Sequence, residues 1–330
     1  MNNKYSLLDD DTILIDPSDE LLALVAAMPE MDLGMSGELL HATAEEIQAA
    51  RDTANTMIKE MMPEEAVEKF EKQSRTIDIE GPAGKIPLQI VEPEGEIKGA
   101  MLHIHGGGWF CGSADMMGPQ LVTWANEIGL VIASVEYSLA PENPYPAAPD
   151  DCEAAALWWI EYAQNQYGVE KVIVGGESAG GHLSAVTTVR MRQKHGYKFA
   201  GAKFTYGLFD FTNGLPSRGA VDGRNLLQDA QSCKFYADVF VPDRETRKDP
   251  DVSPVYADLT DMPPALFTVG ALDPFLDDSI IMATKWRIAG NKANLVIYRE
   301  APHGFDMMPS PEQQHHEKVN RVFMERCLRD

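Results

Sequence analysis

The sequence predicts an α/β fold, a mostly parallel twisted sheet flanked by helices, and three observations predict it. Short runs of branched apolar residues alternate with helical stretches from about residue 100 onward, the pattern of parallel strands joined by crossover helices. Two of those runs end in glycine-rich turns, "HIHGGGWFCGS" at 103–113 and "VIVGGESAGGHL" at 172–183. Open α/β sheets form their sites at the carboxyl ends of such strands. A chain of 330 residues, 44% hydrophobic and 24% charged, has ample material for a core of this kind.

Taken in order, the first 75 residues read as helical. Thr43-Ala44-Glu45-Glu46 fits a capping box, in which a threonine and a glutamate three residues on satisfy each other's backbone N–H groups. Behind it Ile47, Ala50, Ala54, Met57, Ile58 and Met61 recur at helical spacing. Pro63 starts a further short helix through Phe70. Met28, Met31, Met35, Met57, Met61 and Met62 supply an adaptable apolar surface or plain core. "TIDIE" and "IPLQIVE", separated by Gly81-Pro82-Ala83-Gly84, read as an antiparallel pair. Strands then follow at 100–105, 130–137, 171–176, 202–209, 265–270 and 294–300, with helices near 118–128, 149–166, 179–194, 277–289 and 312–328. The polar, Pro- and Asp-rich stretch 210–262 reads as an irregular excursion over the sheet edge.

The net charge is −23, and residues 1–75 carry 17 acidic and six basic side chains, a local net of −11. Such a surface repels phosphate backbones and anionic lipid heads, so nucleic acid is not an expected partner. Cys111, Cys152, Cys233 and Cys327 show no CxxC spacing, so neither a disulfide framework nor a zinc site is expected. Reduced thiols fit a cytoplasmic location. The N-terminus lacks the basic and long apolar regions of a secretory leader, and the apolar run 21–28 is too short to insert into a membrane. Of protein partners, only a second copy of the chain, as a homodimer, is allowed for.

Gly176-Glu177-Ser178-Ala179-Gly180 places a serine between glycines at a strand-to-helix turn. The sharp turn holds the hydroxyl outward, and the glycines avoid collision between residues two apart on either side. In the other turn, Gly106-Gly107-Gly108 lets the backbone aim N–H groups at a ligand. Acyl transfer needs such donors where a carbonyl oxygen turns negative, and Gly107, Gly108 and Ala179 are the natural set for this oxyanion hole. A base and an orienting acid must follow in the order serine, acid, histidine. His195 ends a helix too early, and His315 and His316 fall in the last helix, expected to be solvated. His303, in the loop "REAPHGFDM" after the last strand, is free to reach the site. For the acid, Asp273 lies four residues beyond Val269. Asp277 and Asp278 read instead as first-turn helix acids, which the helix dipole favours. Trp109, Phe209 and Phe275 are the candidate substrate-binding residues, Trp109 shortening the acyl pocket. No metal and no cofactor is expected, and His103 and His105 read as structural.

Together these pieces resemble the hormone-sensitive lipase family of α/β-hydrolases, the bacterial family IV esterases. The resemblance rests on His105-Gly106-Gly107-Gly108, Tyr137-Ser138-Leu139-Ala140-Pro141-Glu142, the serine turn extended to Gly181, Asp273-Pro274-Phe275 and His303-Gly304-Phe305, and covers residues 75–330. It implies the α/β-hydrolase fold, with Ser178, Asp273 and His303 as catalytic triad. It also implies a helical cap, built from N-terminal cap helices over 1–75 and a contribution from 210–255, on a hydrolase core over 76–330. The expected activity is a serine carboxylesterase hydrolysing short- to medium-chain acyl esters of small molecules through an acyl-enzyme intermediate. Amide, peptide or thioester cleavage would use the same machinery. Plant hormone receptors of the family keep the fold and lose the triad, usually its histidine, whereas His303 is present here. Glu177, Ser138 and Phe275 stand where the family often has Asp or Thr, Arg, and Leu, which bears on substrate range.

Overall fold

The computed structural model describes residues 6–27, 43–60, 63–212, 214–220, 228 and 230–329. Its strands are β1 (Thr12–Ile15), β2 (Ser74–Glu80), β3 (Lys85–Val91), β4 (Gly99–Ile104), β5 (Leu130–Val135), β6 (Val172–Glu177), β7 (Gly201–Thr205), β8 (Ala265–Leu272) and β9 (Ala293–Pro302). They form one nine-stranded sheet in the order β1-β9-β8-β7-β6-β4-β5-β3-β2. Only β3 runs against its neighbours. The central strands β4, β5, β6 and β7 are buried at every residue. That explains their unbroken apolar runs, because a parallel strand covered on both faces shows no polar alternation.

Before the site's own strands stand helices α1 (Asp19–Ala26), α2 (Ala44–Glu60) and α3 (Glu64–Gln73). The capping box is formed: Thr43 N–H donates to Glu46 at 2.7 Å, and Glu46 N–H donates to the Thr43 hydroxyl at 3.3 Å. Further along lie α4 (Gly118–Trp124), α5 (Ala147–Tyr167), α6 (Ala179–His195), α7 (Ser217–Ala220), α8 (Ala230–Phe240), α9 (Leu276–Ile288) and α10 (Pro311–Arg329). Helices α5 and α6 pack on each other and on the strands around β4 and β6, α9 on β8 and β9, and α10 on β7 and β8. Trp159, Trp286, Phe204, Phe267 and Tyr298 fill the spaces between these layers.

Two expectations change. The stretch 1–75 is not wholly helical, since Thr12-Ile13-Leu14-Ile15 adds the parallel edge strand β1 beside β9. Four residues suffice because only one neighbour has to be matched, and Asn294 and Leu295 bond the carbonyls of Leu8, Asp10 and Asp11 just ahead of it. Behind the strand, Ser18 caps α1 and is itself bonded through N–H and hydroxyl to Glu312 at the start of α10. The excursion 210–262 is also less irregular than its composition suggests, because Ala230–Phe240 forms a helix that buries Phe235, Tyr236, Val239 and Phe240. Met28, Met31, Met35, Met61 and Met62 lie outside the described residues.

Candidate active site

Ser178 stands between β6 and α6 with φ +57° and ψ −117°, a strained conformation for a side chain other than glycine. The turn that imposes it runs hard against the neighbouring strand. Ile104 of β4 pairs with Gly176 of β6. A β-carbon on Gly176 would lie 2.0 Å from the Ile104 carbonyl oxygen, and one on Gly180 would lie 1.9 Å from the same atom. Both positions therefore have to be glycine. The obstacle is mainly this β4 carbonyl, more than the mutual crowding the sequence suggests. Ser178 N–H donates to Thr205 O at 2.9 Å, which anchors the turn to β7 as well.

His303 and Asp273 arrive from two further strand ends. His303 follows β9, before Gly304 with φ +76°, and Asp273 follows β8 directly. His303 Nδ1–H donates to Asp273 Oδ2 at 2.8 Å, leaving Nε2 to accept the Ser178 hydroxyl at 3.0 Å. The second carboxylate oxygen of Asp273 accepts Phe275 N–H at 2.8 Å, fixing its orientation. The imidazole packs against the Tyr206 ring at 4.4 Å and the edge of Phe275 at 5.3 Å. Serine, histidine and aspartate thus form one hydrogen-bonded line within a largely buried site.

The competing residues are occupied elsewhere. Asp277 accepts Ser217 N–H. Asp278 is buried, pairs with Arg218 at 2.6 Å and accepts the N–H groups of Phe209 and Asp210. Burial pushes its carboxyl above the usual range despite Arg218. It is the first-turn acid of α9 that the sequence suggests, and in addition a buried anchor. His195 bonds Glu153. His316, expected on a solvated helix, is buried against Thr268 and Asn320, and burial lowers it to about 3.

The glycine loop after β4 is held by its carbonyls. Gly106 O accepts His105 Nδ1–H at 2.7 Å and the Tyr137 hydroxyl at 3.3 Å, and burial keeps His105 neutral by lowering it to about 4. Gly107 O accepts the N–H groups of Phe110 and Cys111 and the Cys111 thiol. In a trans peptide the N–H points opposite the C=O. Pinning these two carbonyls therefore turns the N–H groups of Gly107 and Gly108 the other way, and neither has a protein acceptor among the described residues. Ala179 N–H, at the start of α6, is likewise without one. The φ values at Gly107 and Gly108 are +108° and +62°, and a β-carbon would strike Cys111 O at 2.1 Å on the first and the Tyr236 ring at 2.3 Å on the second, so both positions favour glycine.

Behind the serine lies a buried charged layer that sequence reading missed. Lys203 Nζ donates to Glu177 Oε1 at 2.8 Å and sits 4.7 Å from the Trp124 ring. His103 bridges Glu177 and Ser134. Burial alone would raise the Glu177 carboxyl, but Lys203 and His103 hold it well below the usual range. Tyr206, whose ring lies tilted against His303, donates to Asp306 at 2.5 Å. Burial lifts Asp306 to about 6, against that hydrogen bond. Glu317, which accepts from Trp124 and Gln120, is lifted by burial to about 7. The available signal was a lysine inside an otherwise apolar strand, "GAKFT".

The pocket candidates separate. Phe275 touches His303. Trp109 is buried in an aromatic cluster, stacked on Phe240 at 4.8 Å and bonded to His182, and Phe209 is buried against Phe204 and Phe267. A cleft of about 360 Å³ opens instead under α2 and α3, lined by Asn55, Phe70, Asp115 and Met116 among others and by none of those three aromatics. None of Ser178, His303, Asp273 and the three loop glycines lines it; Met116 on its wall and Ser178 both lie close to Gly106, where an added β-carbon would meet Met116 Cε at 3.6 Å and Ser178 Cβ at 3.5 Å.

A serine on a strained strand–helix turn, lined up with histidine and aspartate from later strand ends of a mostly parallel sheet, is the arrangement of an α/β hydrolase. The family model of the alpha/beta hydrolase fold matches residues 101–307, and the chain belongs to that family, within its hormone-sensitive-lipase-like branch of carboxylic ester hydrolases. It is 33% identical over 238 residues to the carboxylic ester hydrolase LipN of Mycobacterium tuberculosis, a match spanning 69% of this chain and 63% of that relative. The hyperthermophilic esterase of Pyrobaculum calidifontis superposes with a TM-score of 0.81 at 25% identity, over 94% of this chain and 98% of that one. A hormone-sensitive lipase from a metagenome library superposes with a TM-score of 0.74 at 25% identity, over 86% and 91% of the two chains.

Two predictions come from this geometry. Gly180→Ala, whose new methyl meets backbone on two sides, should lower stability by ~2 kcal/mol or more. A thermal melt indistinguishable from the parent would show that β4 and the turn can part cheaply. For Glu317, the folded carboxyl keeps its proton up to about pH 7, whereas the unfolded chain releases it near ~4.3. Between those values the native state holds the extra proton, so stability falls as pH rises. Glu317→Gln should flatten the fall in Tm between pH 5 and pH 8. An equal fall in both proteins would mean that Glu317 is already ionised in the fold at pH 5.

Proposed function

We propose that the protein is a serine carboxylesterase acting on short- to medium-chain acyl esters through an acyl-enzyme intermediate. The observation that carries this reading is the line from Ser178 Oγ to His303 Nε2, 3.0 Å, and from His303 Nδ1 to Asp273 Oδ2, 2.8 Å. Ser178 attacks the ester carbonyl as His303 takes its proton. The carbonyl oxygen becomes an oxyanion and is met by the N–H groups of Gly107, Gly108 and Ala179. Collapse breaks the bond to the alkoxy oxygen, which leaves as alcohol with the proton from His303. Water then attacks the acyl-serine with His303 as base, and collapse releases the acid and returns the proton to Ser178. Asp273 holds the imidazole tautomer and stabilises the imidazolium without taking the proton.

Under α2 and α3 lies the cleft of about 360 Å³, which none of Ser178, His303 and Asp273 lines. Helices α2 and α3 overlie that cleft and serve as the cap, to which 210–255 contributes through α8: a β-carbon on Gly108 would strike the Tyr236 ring at 2.3 Å. A cytoplasmic location is supported by four buried thiols. No helix among the described residues is long and apolar enough to cross a membrane.

Hydrolysis of p-nitrophenyl esters of graded chain length, with an anilide control, tests the activity. Ser178→Ala should lower kcat by ~10⁴-fold or more with the fold intact, and a phosphonate should label Ser178 alone. Near-parental turnover in that variant would remove the proposed nucleophile. Asp273→Asn should cost ~10⁴-fold in kcat, whereas Asp277→Asn, away from His303, should cost little. The reverse result would reassign the acid. Asp278→Asn is unsuitable as a control, because it disturbs a buried ion pair.

A further inference from the structure

Arg51 and Asn55 lie four residues apart on α2, so both project from one face of the helix. That face rests on the outer half of the glycine loop. Arg51 Nε–H donates to Phe110 O at 2.7 Å, and an Arg51 terminal nitrogen donates to Ala140 O at 2.8 Å. The two terminal nitrogens grip Glu142 at 2.8 and 2.5 Å, and the guanidinium stands 5.1 Å from the Phe110 ring centre. Asn55 Oδ1 accepts Gly112 N–H at 3.0 Å. Ala140 N–H in turn donates to Trp109 O at 2.8 Å. Arg51 thus holds Phe110 directly and Trp109 through Ala140, while Asn55 holds Gly112.

The glycines themselves offer no side chain by which they could be held. Glycine takes positive and negative φ with similar ease, so which conformation Gly107 and Gly108 adopt is selected by what fixes the peptide groups on either side. Phe110 is the link: its N–H donates to Gly107 O, and its C=O accepts from Arg51. We propose that Arg51 and Asn55 are positioning residues for the oxyanion-binding N–H groups of Gly107 and Gly108. The N-terminal helix then acts on the transition state as well as covering the cleft. The proposal rests on the serine esterase reading above. A guanidinium is required because three separated acceptors, Phe110 O, Ala140 O and the Glu142 carboxylate, have to be met at once, which an ammonium cannot do.

Loss of a whole oxyanion donor costs ~10²–10³-fold in kcat, so partial misplacement should cost ~10–100-fold. The experiment compares Arg51→Met, Asn55→Leu and Asn55→Asp with the parent on p-nitrophenyl acetate and butanoate. It also measures inhibition by an alkyl trifluoromethyl ketone, whose adduct with the serine carries the oxyanion. Arg51→Met and Asn55→Leu should lower kcat by ~10–100-fold with KM changed less than ~3-fold, equally for both esters. The inhibitor constant should rise by the same factor as kcat/KM falls. Asn55→Asp, which keeps an acceptor for Gly112 N–H, should recover most of the loss. Asn55 is half-buried and forms fewer contacts than Arg51, so its variants carry the test if Arg51→Met does not fold. An unchanged kcat, a loss confined to KM, or an unchanged inhibitor constant would each overturn the proposal. Parental ester turnover with labelling of Ser178 keeps the underlying reading standing in any of those cases. Absence of parental turnover and labelling removes both.

Discussion

The close approach of the serine turn to one atom, the Ile104 carbonyl oxygen, is the constraint from which the site's geometry follows. Strands β4 and β6 are paired there, and the turn passes so near that neither Gly176 nor Gly180 has room for a methyl. With both flanks closed, Ser178 is left at φ +57°, and its hydroxyl emerges on the side where the strands end. The same carbonyl closes β4, and the glycine loop starts immediately after it. Ser178 and the glycine loop therefore leave from one backbone junction. Their separation is set by main-chain packing, the stiffest part of the molecule, while His303 and Asp273 are brought in from strand ends farther along the sheet.

That packing is backed by buried charge. Taking Glu177 and Lys203 out of water is costly, and their mutual contact offsets the cost only because His103 and Trp124 occupy the remaining sides. The gain lies in fixing the layer under Ser178 in one arrangement, since any slippage between β6 and β7 would strand a charge. Asp306 continues the layer toward His303, because Tyr206 bonds Asp306 with its hydroxyl and supports the imidazole with its ring. The acids in this layer differ by environment. Glu177, beside two basic groups, stays ionised, whereas burial pushes Asp306 and Glu317 toward holding protons.

Much of this was legible in the sequence, for a physical reason. A strand of branched residues ending in a special turn announces both its own burial and the place where it stops, so Ser178, Asp273 and His303 could be placed at strand ends from local patterns. What stayed hidden was carried by long-range contacts. Arg51 meets partners 59 and 89 residues away, and nothing near it in the chain reports them. Aromatic character does not report which rings a side chain will pack against, and Trp109 and Phe209, read as substrate contacts, each pack among other rings. His316 shows the same ambiguity with a polar residue, since it looks solvated on its helix and is buried by a neighbouring element. Strand β1 was missed because a four-residue strand with a single partner leaves too short a pattern to see.

The N-terminal region divides into two parts with different mechanical roles. Residues 6–26 are sewn to the far edge of the sheet by β1 and by Ser18 on Glu312. Helix α2 is instead tied by Arg51 and Asn55 to the glycine loop beside the serine, and α3 packs on α4 through Phe70 against Gly118. Helix α3 adds directional bonds at its last residue, Gln73, whose amide donates to Glu92 O at 2.6 Å and to Asn126 Oδ1 at 2.9 Å. Arg51 makes directional bonds to backbone carbonyls, and these cannot slide without leaving buried acceptors unpaired. Any displacement of α2 large enough to widen the cleft must therefore break those bonds or drag Phe110 and Gly112 along. In this fold, the cleft under α2 and the backbone of the glycine loop are mechanically joined at one helix face.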